Sequence, residues 1–445
     1  MTDLPNVLFV TVDSLRADHA HGGKAETPTF DRVAEAGTEF DRTFAQGPYT
    51  TFSMPSLFTS RYPSRLTSID FVDGVEGVLV EGASTIQERF RQAGYTTAGI
   101  HTNPLLSELF GFDVGFDYFD DGLGGFSDRL PGKFALLADK IGRLVRRHPY
   151  VPADRLTDRA IEWLQSTDDE PFFLWVHYMD VHGPYQSKDD IQYLEKYRSE
   201  RLWRKAVHSP IEVTESERER LRETYVEEVS FTDREIGRLL DAFEESTGLA
   251  ESMVAITADH GEEFFEHGSY SHESKLYEEL IHVPLAVDPP ASHRAIERDR
   301  GSLVPLLDVG PTLLQAAGAS LDGFEGTSLF ESKAADGRDC ERPEGEPGDL
   351  GATIVSEARL DPVYIGAVRT SDWKYIDDAG DAELYHLGED PNESSNVLES
   401  NPEVATRLEE LLDAHRSGYS AETRSTEHLD SDELDGRLRS LGYLE

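Results

Sequence analysis

The strongest constraint in this sequence is a set of three unbroken apolar runs, at residues 6–12, 171–177 and 253–258. Runs of β-branched and aromatic residues without polar alternation are typical of strands covered on both faces, as in a parallel sheet. Residues 84–93, 158–165 and 217–245 lie between or beside these runs and show helical spacing. The sequence therefore predicts an α/β fold with a large, mostly parallel sheet.

Each apolar run leads directly into acidic, hydroxyl or imidazole side chains. The candidates are Asp13, Ser14 and Arg16 after the first run, His182 after the second, and Asp259, His260 and His267 after the third. Ligands of open α/β sheets bind at the carboxyl ends of the strands, where these residues converge. Carboxylate and imidazole together favour a divalent-metal site. A single strand-end Asp is commonly a helix cap and a single His a structural residue, so the prediction depends on all three ends.

A segment rich in hydroxyl residues, 46–63, offers candidate nucleophiles. Thr50 and Ser53 stand just before a short helical stretch. Amide N–H groups at a helix start favour an anionic ester, although a plain Thr or Ser helix cap has the same local pattern. Because Pro55 disfavours a helix interior, the sequence predicts a helix that begins near Ser53, with Ser53 as its N-cap.

The charge balance excludes two classes of partner. The chain has 42 basic and 86 acidic residues and a formal net charge of −44. Nucleic acid and anionic membranes both need basic patches, so neither is expected as a partner.

Only 9 of the basic residues are Lys and 33 are Arg. Acidic excess with few lysines is typical of adaptation to concentrated salt, where repulsion is screened within about 3 Å at 1 M; an ordinary acidic protein is the alternative.

Other features concern compartment and domain organisation. The one cysteine, Cys340, excludes an intrachain disulfide and argues against a thiolate site. No signal segment is seen and no apolar run approaches the ~20 residues of a membrane span, so a cytoplasmic protein is expected.

We predict a catalytic domain at 1–330, a polar linker at 331–350, a small antiparallel sheet-plus-helix unit at 351–420 and a tail at 421–445.

Taken in order, these segments resemble the sulfatase family of the alkaline phosphatase superfamily. The matching blocks are residues 6–18, 27–34, 50–63, 94–99, 177–185, 233–240, 258–268, 276–285, 307–314, 369–375 and 383–391. They span most of the chain, and ordered agreement over so many blocks is specific. The resemblance implies a large mixed, mostly parallel sheet with helices on both faces, plus a small C-terminal α+β subdomain.

The resemblance also implies roles for individual residues. Asp13, Asp259, His260 and Thr50 match the positions that hold one divalent ion, and oxygen and imidazole ligands do not select among Ca²⁺, Mg²⁺, Mn²⁺ and Zn²⁺. Counting back from residues 59–63 places the family nucleophile on Thr50. His182 matches the histidine that contacts the substrate anion and protonates the leaving group. Two further positions match anion-contacting Lys or His residues of the family, and they are His272 and Asn103.

Two departures from the family pattern change the expected chemistry. Sulfatases carry Cys or Ser at the nucleophile position and oxidise it to formylglycine, whereas this chain has Thr50, with Phe52 and Met54 at the usual Pro and Arg places. Threonine cannot give that aldehyde, so formylglycine is not expected. A Thr here resembles the phosphatases, phosphodiesterases and phosphoglycerol transferases of the superfamily. Ser14 replaces a second Asp ligand of many members, which favours one metal ion.

The expected function is therefore metal-dependent hydrolysis, or transfer, of a sulfuric or phosphoric ester by in-line attack of Thr50. The substrate would be a small-molecule or glycan ester. Ser53 is the rival nucleophile. Two alternatives stay open: a non-catalytic, sulfatase-like metal-binding protein, and a two-metal enzyme of the nucleotide-pyrophosphatase or mutase type, which needs more His and Asp ligands.

Overall fold

The computed structural model describes residues 4–70, 76–79, 83–122, 150–167, 171–185, 193–293, 296, 298–330, 350–360 and 363–417. Nearly all of the predicted linker and the whole of the predicted tail lie outside these residues. The strands are β1 (Val7–Val12), β2 (Thr38–Glu39), β3 (Thr43–Phe44), β4 (Thr67–Asp70), β5 (Glu76–Leu79), β6 (Thr96–Ile100), β7 (Tyr118–Asp120), β8 (Phe172–Tyr178), β9 (Met253–Ala258), β10 (Glu263–Phe264), β11 (Tyr270–Ser271), β12 (His282–Val283), β13 (Leu285–Asp288), β14 (Val304–Pro305), β15 (Ile354–Leu360), β16 (Val363–Arg369), β17 (Trp373–Asp378) and β18 (Asp381–His386). The helices are α1 (Pro28–Ala36), α2 (Thr50–Thr59), α3 (Ile86–Gln92), α4 (Ala153–Ser166), α5 (Tyr193–His208), α6 (Glu215–Thr247), α7 (Glu278–Ile281), α8 (Val309–Ala316) and α9 (Pro402–Ser417).

The main sheet has seven strands in the order β2-β13-β9-β1-β8-β6-β7. The central strand β1 is parallel to β8 and β9, and β13 joins β9 as an antiparallel neighbour. Every residue of β1, β8 and β9 is buried, as expected for strands with both faces covered. The predicted mixed, mostly parallel sheet is confirmed, and so are its three central strands.

The register of these strands decides where the functional side chains meet. Val12 pairs with Tyr178 on one side and with Ala258 on the other. The residues that follow, including Asp13 and Asp259, therefore leave the sheet at the same edge. This shared edge is where the strand-end prediction placed the ligand site.

The predicted helices form, and two of them begin at a capping box made by a Thr and a Glu. At the start of α3, Thr85 accepts from the Glu88 amide while the Glu88 side chain accepts from the Thr85 amide. Thr214 and Glu217 form the same box at the start of α6. Helix α4 begins at Ala153, five residues before the predicted start at 158, because its apolar face continues through Leu156.

The prediction that the helix carrying Thr50 and Ser53, the candidate nucleophiles, begins near Ser53 is wrong. Helix α2 begins at Thr50, with Tyr49 before it in extended conformation, and Pro55 lies inside the helix. All ten residues of α2 are buried. The free energy gained by burying the helix on every side outweighs the cost of a proline in its interior. Helix propensities do not include this tertiary burial, so they predicted the wrong start. Thr50 therefore occupies the first helical position.

The C-terminal part forms a four-stranded antiparallel sheet, β15-β16-β17-β18, and its helix α9 packs on it. The sequence predicted a small antiparallel sheet with a helix in this part of the chain. The opposite face of this four-stranded sheet packs against the main part of the protein. Phe44 and Leu280 of the main part form one apolar cluster there with Ile354 and Ile365 of the small sheet. The domain boundaries stay predictions. None of the helices in the described ranges is long and apolar enough to cross a bilayer.

A buried ion cluster joins the same two parts. Lys374 is 0% exposed, and its Nζ lies 3.2 Å from Glu278 Oε1 and 2.7 Å from Glu393 Oε1. Arg369 also contacts Glu278, at 3.1 Å. Charges removed from water in this way are tolerated because each faces an opposite charge.

We expect Lys374→Ala to destabilise the protein strongly, because the substitution leaves the buried carboxylate of Glu393 without its cation and removes one of the two cations that contact Glu278. Breaking a buried pair costs about 3–5 kcal/mol. Arg204→Ala is the matched control, since Arg204 pairs with Glu200 while 71% exposed, and an exposed pair contributes at most about 1 kcal/mol. Thermal and denaturant unfolding would measure both variants, and equal losses would contradict the assignment.

Candidate active site and metal centre

Four side chains converge at the carboxyl edge of the main sheet. Thr50 Oγ1 lies 3.3 Å from Asp13 Oδ2, 3.0 Å from Asp259 Oδ2 and 3.3 Å from His260 Nε2. Asp13, Asp259 and His260 have no solvent exposure. The ends of β1 and β9 and the first residue of α2 thus bring together the four positions that the sequence predicted as metal ligands.

His260 is held in the form that a metal ion requires. Its Nδ1 lies 2.8 Å from the Gly261 carbonyl oxygen. Because a carbonyl only accepts, Nδ1 carries the proton and the Nε2 lone pair faces the carboxylates. Burial, followed by the charge of His272, lowers the pKa of His260 to about 3. The ring is therefore neutral at neutral pH, as a metal ligand must be.

The two buried carboxylates respond to each other. Burial and the Asp13 charge raise the pKa of Asp259 well above its ordinary value. Burial also opposes ionisation of Asp13, but the nearby histidines, led by His182, outweigh it and lower the pKa of that carboxyl. Two carboxylates in one dry site cannot both ionise freely without a cation. A donor set of two carboxylates, an imidazole and a hydroxyl fits a divalent ion.

Several donors orient the carboxylates. Asn103 Nδ2 donates to Asp13 Oδ2 at 2.9 Å, and Ser14 Oγ donates to Asp13 Oδ1 at 2.9 Å. The Ser14 amide reaches Asp259 Oδ1 at 3.2 Å, from a backbone with φ 59°. Tyr225 holds this turn by donating its hydroxyl to the Ser14 carbonyl. The structure thus places Asn103, predicted as an anion contact, on Asp13.

Sequence reasoning missed His177 as a member of the site. Asp13, His177 and Asp259 each offer a potential ligand atom, and these atoms lie within 4.8 Å of one another. His177 Nε2 is 3.4 Å from Asp13 Oδ2. The available signal was its position near the end of an apolar strand that pairs with β1, where a polar side chain is out of place.

The histidines predicted to contact the substrate form one wall of the site. The His272 ring centre lies 5.0 Å from that of His182 and 4.5 Å from that of His260. His182 Nδ1 lies 2.6 Å from the Gly183 carbonyl oxygen, which again directs Nε2 away from the backbone. Burial lowers the pKa of His182 despite the nearby carboxylate of Asp13.

Glu262 sets the properties of His272 and was not singled out from the sequence. Its Oε1 lies 3.2 Å from His272 Nδ1, and its Oε2 accepts from the Tyr185 hydroxyl at 2.7 Å. Although burial lowers the pKa of His272, the hydrogen bond and charge of Glu262 outweigh it and raise that pKa. The two neighbouring histidines thus differ: the pKa of His182 is lowered and that of His272 is raised.

Ser53, the rival nucleophile, is engaged elsewhere. Its hydroxyl donates to the backbone carbonyl of Asp259 at 2.5 Å. Ser53 lies one helical turn beyond Thr50 in α2 and is fully buried. Of the two hydroxyls, that of Thr50 contacts the carboxylate oxygens.

Two other candidates lie outside the four-residue cluster. Arg16 directs its guanidinium to Asp18 and Glu266, at 2.9 and 2.8 Å. His267 Nδ1 lies 2.5 Å from Glu279 Oε1. Both side chains therefore take part in ion pairs beside the site.

Comparison with known proteins places this chain in a family. A family model described as Sulfatase matches residues 5–319. A protein named Sulfatase from Formosa agariphila is 25% identical over 451 residues, which cover 92% of this chain and 86% of that one. The phosphonate monoester hydrolase of Agrobacterium radiobacter has the same fold, with a TM-score of 0.68, 19% identity and coverage of 94% of this chain and 96% of that one. BT4656, solved in complex with its substrate D-glucosamine-2-N,6-O-disulfate, gives a TM-score of 0.65 at 19% identity, covering 94% and 98%.

Metal binding should release a proton held by the carboxylate pair. Because the pKa of Asp259 is raised, its proton stabilises the ion-free fold at low pH, and this contribution is lost as the pH rises through the raised pKa. A divalent ion displaces the proton, so we expect Mn²⁺ affinity to increase with pH. Titration calorimetry in two buffers of different protonation enthalpy would measure the release.

Thr50→Val separates the possible sources of that proton. The variant has no hydroxyl proton to lose, so a release that persists comes from the carboxylates or from His272, and not from Thr50. His260, with a pKa of about 3, contributes none near neutral pH. Identical heats in both buffers for the wild type would contradict the expectation.

Proposed function

Because this chain belongs to the sulfatase family, and is a hydrolase of that kind, we propose that Thr50 Oγ1 attacks a sulfuric or phosphoric ester in line. One observation carries the proposal: the Thr50 hydroxyl, at the first position of α2, lies within 3.3 Å of three ligand-type atoms. A nucleophile needs such neighbours, because a free threonine hydroxyl is weak.

Asp13, Asp259 and His260 would hold one divalent ion. When bound, that ion would lower the pKa of the Thr50 hydroxyl and neutralise charge on the ester oxygens. The start of α2 adds a partial positive charge where the anion would sit. Thr50 would give up its hydroxyl proton to solvent, and its Oγ1 would form a bond to sulfur or phosphorus as the bond to the leaving oxygen breaks.

The histidine wall supplies charge and protons. His272 favours its cationic form because of Glu262, so we assign it the contact with the ester oxygens and donation of a proton to the leaving alkoxide. His182, with a lowered pKa, is the better acceptor, and it would take a proton from the water or alcohol that resolves the threonyl ester. This division of roles differs from the expectation that His182 protonates the leaving group.

The identity of Thr50 bears on the class of ester. Threonine carries one hydroxyl, so it lacks the second hydroxyl through which a formylglycine hydrate expels sulfate. Release must therefore occur by attack of water, or of an acceptor alcohol, on the ester centre. Small-molecule or glycan esters are the proposed substrates; BT4656 acts on a sulfated sugar and the Agrobacterium protein is a phosphonate monoester hydrolase.

We expect Thr50→Ala to lower turnover by a factor on the order of 10³ or more while the protein stays folded, as for loss of a nucleophile. Ser53→Ala is the control, since Ser53 donates to a backbone carbonyl, and it should retain turnover. Rates would be compared on 4-nitrophenyl sulfate, 4-nitrophenyl phosphate and bis(4-nitrophenyl) phosphate. Full activity of Thr50→Ala would refute the assignment, and a metal-loaded wild type inactive on all three would favour the non-catalytic alternative.

Glu262→Gln should move the alkaline limb of the pH profile of kcat/KM to lower pH. Glu262 raises the pKa of His272, so removing its charge lowers that pKa and depletes the cation earlier as the pH rises. Glu263→Gln is the matched control, because Glu263 is equally buried and faces Lys275 instead. Parallel shifts in both variants would contradict the role given to Glu262.

A further inference from the structure

Beneath Asp13, three buried side chains form a hydrogen-bonded series that the proposed reaction does not use. Thr11 in β1 lies opposite His177 in β8, as the strand register requires. Trp175 precedes His177 by two residues and points to the same face of the sheet. All three side chains have no solvent exposure, so each polar atom needs a partner within the protein.

The donors and acceptors of this series can be assigned from chemistry. Trp175 Nε1 lies 2.9 Å from Thr11 Oγ1, and indole N–H only donates, so Thr11 accepts there. Thr11 Oγ1 is also 2.9 Å from His177 Nδ1. Within the described residues, His177 Nδ1 is the acceptor that the Thr11 hydroxyl can reach, so the hydroxyl donates its proton to that nitrogen. If His177 Nδ1 carried the proton instead, the buried hydroxyl would lack an acceptor, at a cost of about 1–3 kcal/mol.

The proton of a neutral His177 therefore resides on Nε2. That atom lies 3.4 Å from Asp13 Oδ2, an approach too long for a well-aligned hydrogen bond, and it has no hydrogen-bond partner in the described part of the chain. A protonated Nε2 has no lone pair for a metal ion. It places an N–H close to the carboxylate oxygen that also accepts from the Asn103 amide.

We propose that His177 is a positioning residue for Asp13, not a metal ligand: its Nε2–H orients the carboxylate, and Thr11 and Trp175 hold the ring in that tautomer. The inference rests on the proposed function, in which Asp13 holds an ion. Partners of metal-ligating groups typically change metal affinity by 10–100-fold when removed. The series extends the control of the metal centre into the middle of the sheet.

Thr11→Val, titrated with Zn²⁺, tests the proposal. The substitution removes the hydroxyl at nearly constant shape, and we expect Zn²⁺ to bind about 10-fold more weakly or worse. Thr97→Val is the matched control: Thr97 is a fully buried threonine of β6 whose hydroxyl donates to the Gly115 carbonyl. It should bind Zn²⁺ as the wild type does. Thermal unfolding without metal would show whether each variant is folded.

The tautomer can be read directly by long-range ¹H–¹⁵N correlation on histidine-labelled protein. The His177 signal is identified by its loss in His177→Phe or, if that variant does not fold, by its shift in Thr11→Val. We expect a protonated Nε2 in the ion-free and in the Zn²⁺-loaded protein. Loss of that proton on Zn²⁺ loading would make His177 a ligand and overturn the proposal.

The outcomes separate this inference from the proposed function. If the wild type binds no Zn²⁺, the metal centre fails and the positioning role fails with it. If the wild type binds Zn²⁺ but Thr11→Val binds it as well as Thr97→Val, only the positioning role fails. Protonation of Nδ1 in the ion-free protein also overturns it, whatever the reaction is.

Discussion

Asp13 and Asp259 are two carboxylates held out of solvent at the ends of neighbouring parallel strands. The other side chains of the site offset the desolvation free energy of these two groups. Burial alone would favour their neutral forms. The structure compensates with donors on both sides, from Asn103 and the Ser14 turn. The raised pKa of Asp259 shows that this compensation is incomplete without a cation. A divalent ion would complete it, which connects the stability of the fold to the proposed chemistry.

The acidic composition makes the source of positive charge a second constraint. A chain with net charge −44 and few lysines must still hold an anionic ester. Two lysines in the described part of the chain are already paired with carboxylates, Lys275 with Glu263 and Lys374 with Glu278 and Glu393. Imidazole therefore carries much of the charge that the proposed reaction needs. The contact of Glu262 with His272 raises the pKa of that histidine and thereby favours a positive charge in an otherwise acidic protein.

Placement of Thr50, the proposed nucleophile, depends on packing more than on local preference. Helix α2 includes a proline in its interior and is buried along its whole length. Its first residue is thereby set against the ends of β1 and β9. The apolar cluster shared with the C-terminal sheet includes Phe44, a few residues before α2, and thereby supports this region. The small C-terminal sheet thus contributes to the geometry around Thr50 as well as to stability.

Much of the fold and of the candidate metal centre could be read from the sequence by itself. Three uninterrupted apolar runs determined the central parallel strands, and the polar residues after them determined where ligands gather, because strand direction and pleat leave few alternatives. Only the tertiary structure decided what depends on contacts between distant segments. It placed the start of α2 at Thr50, paired Arg16 and His267 with acids outside the cluster, set Glu262 against His272 and put His177 under Asp13. These are outcomes of packing and register across the sheet, which local sequence does not encode.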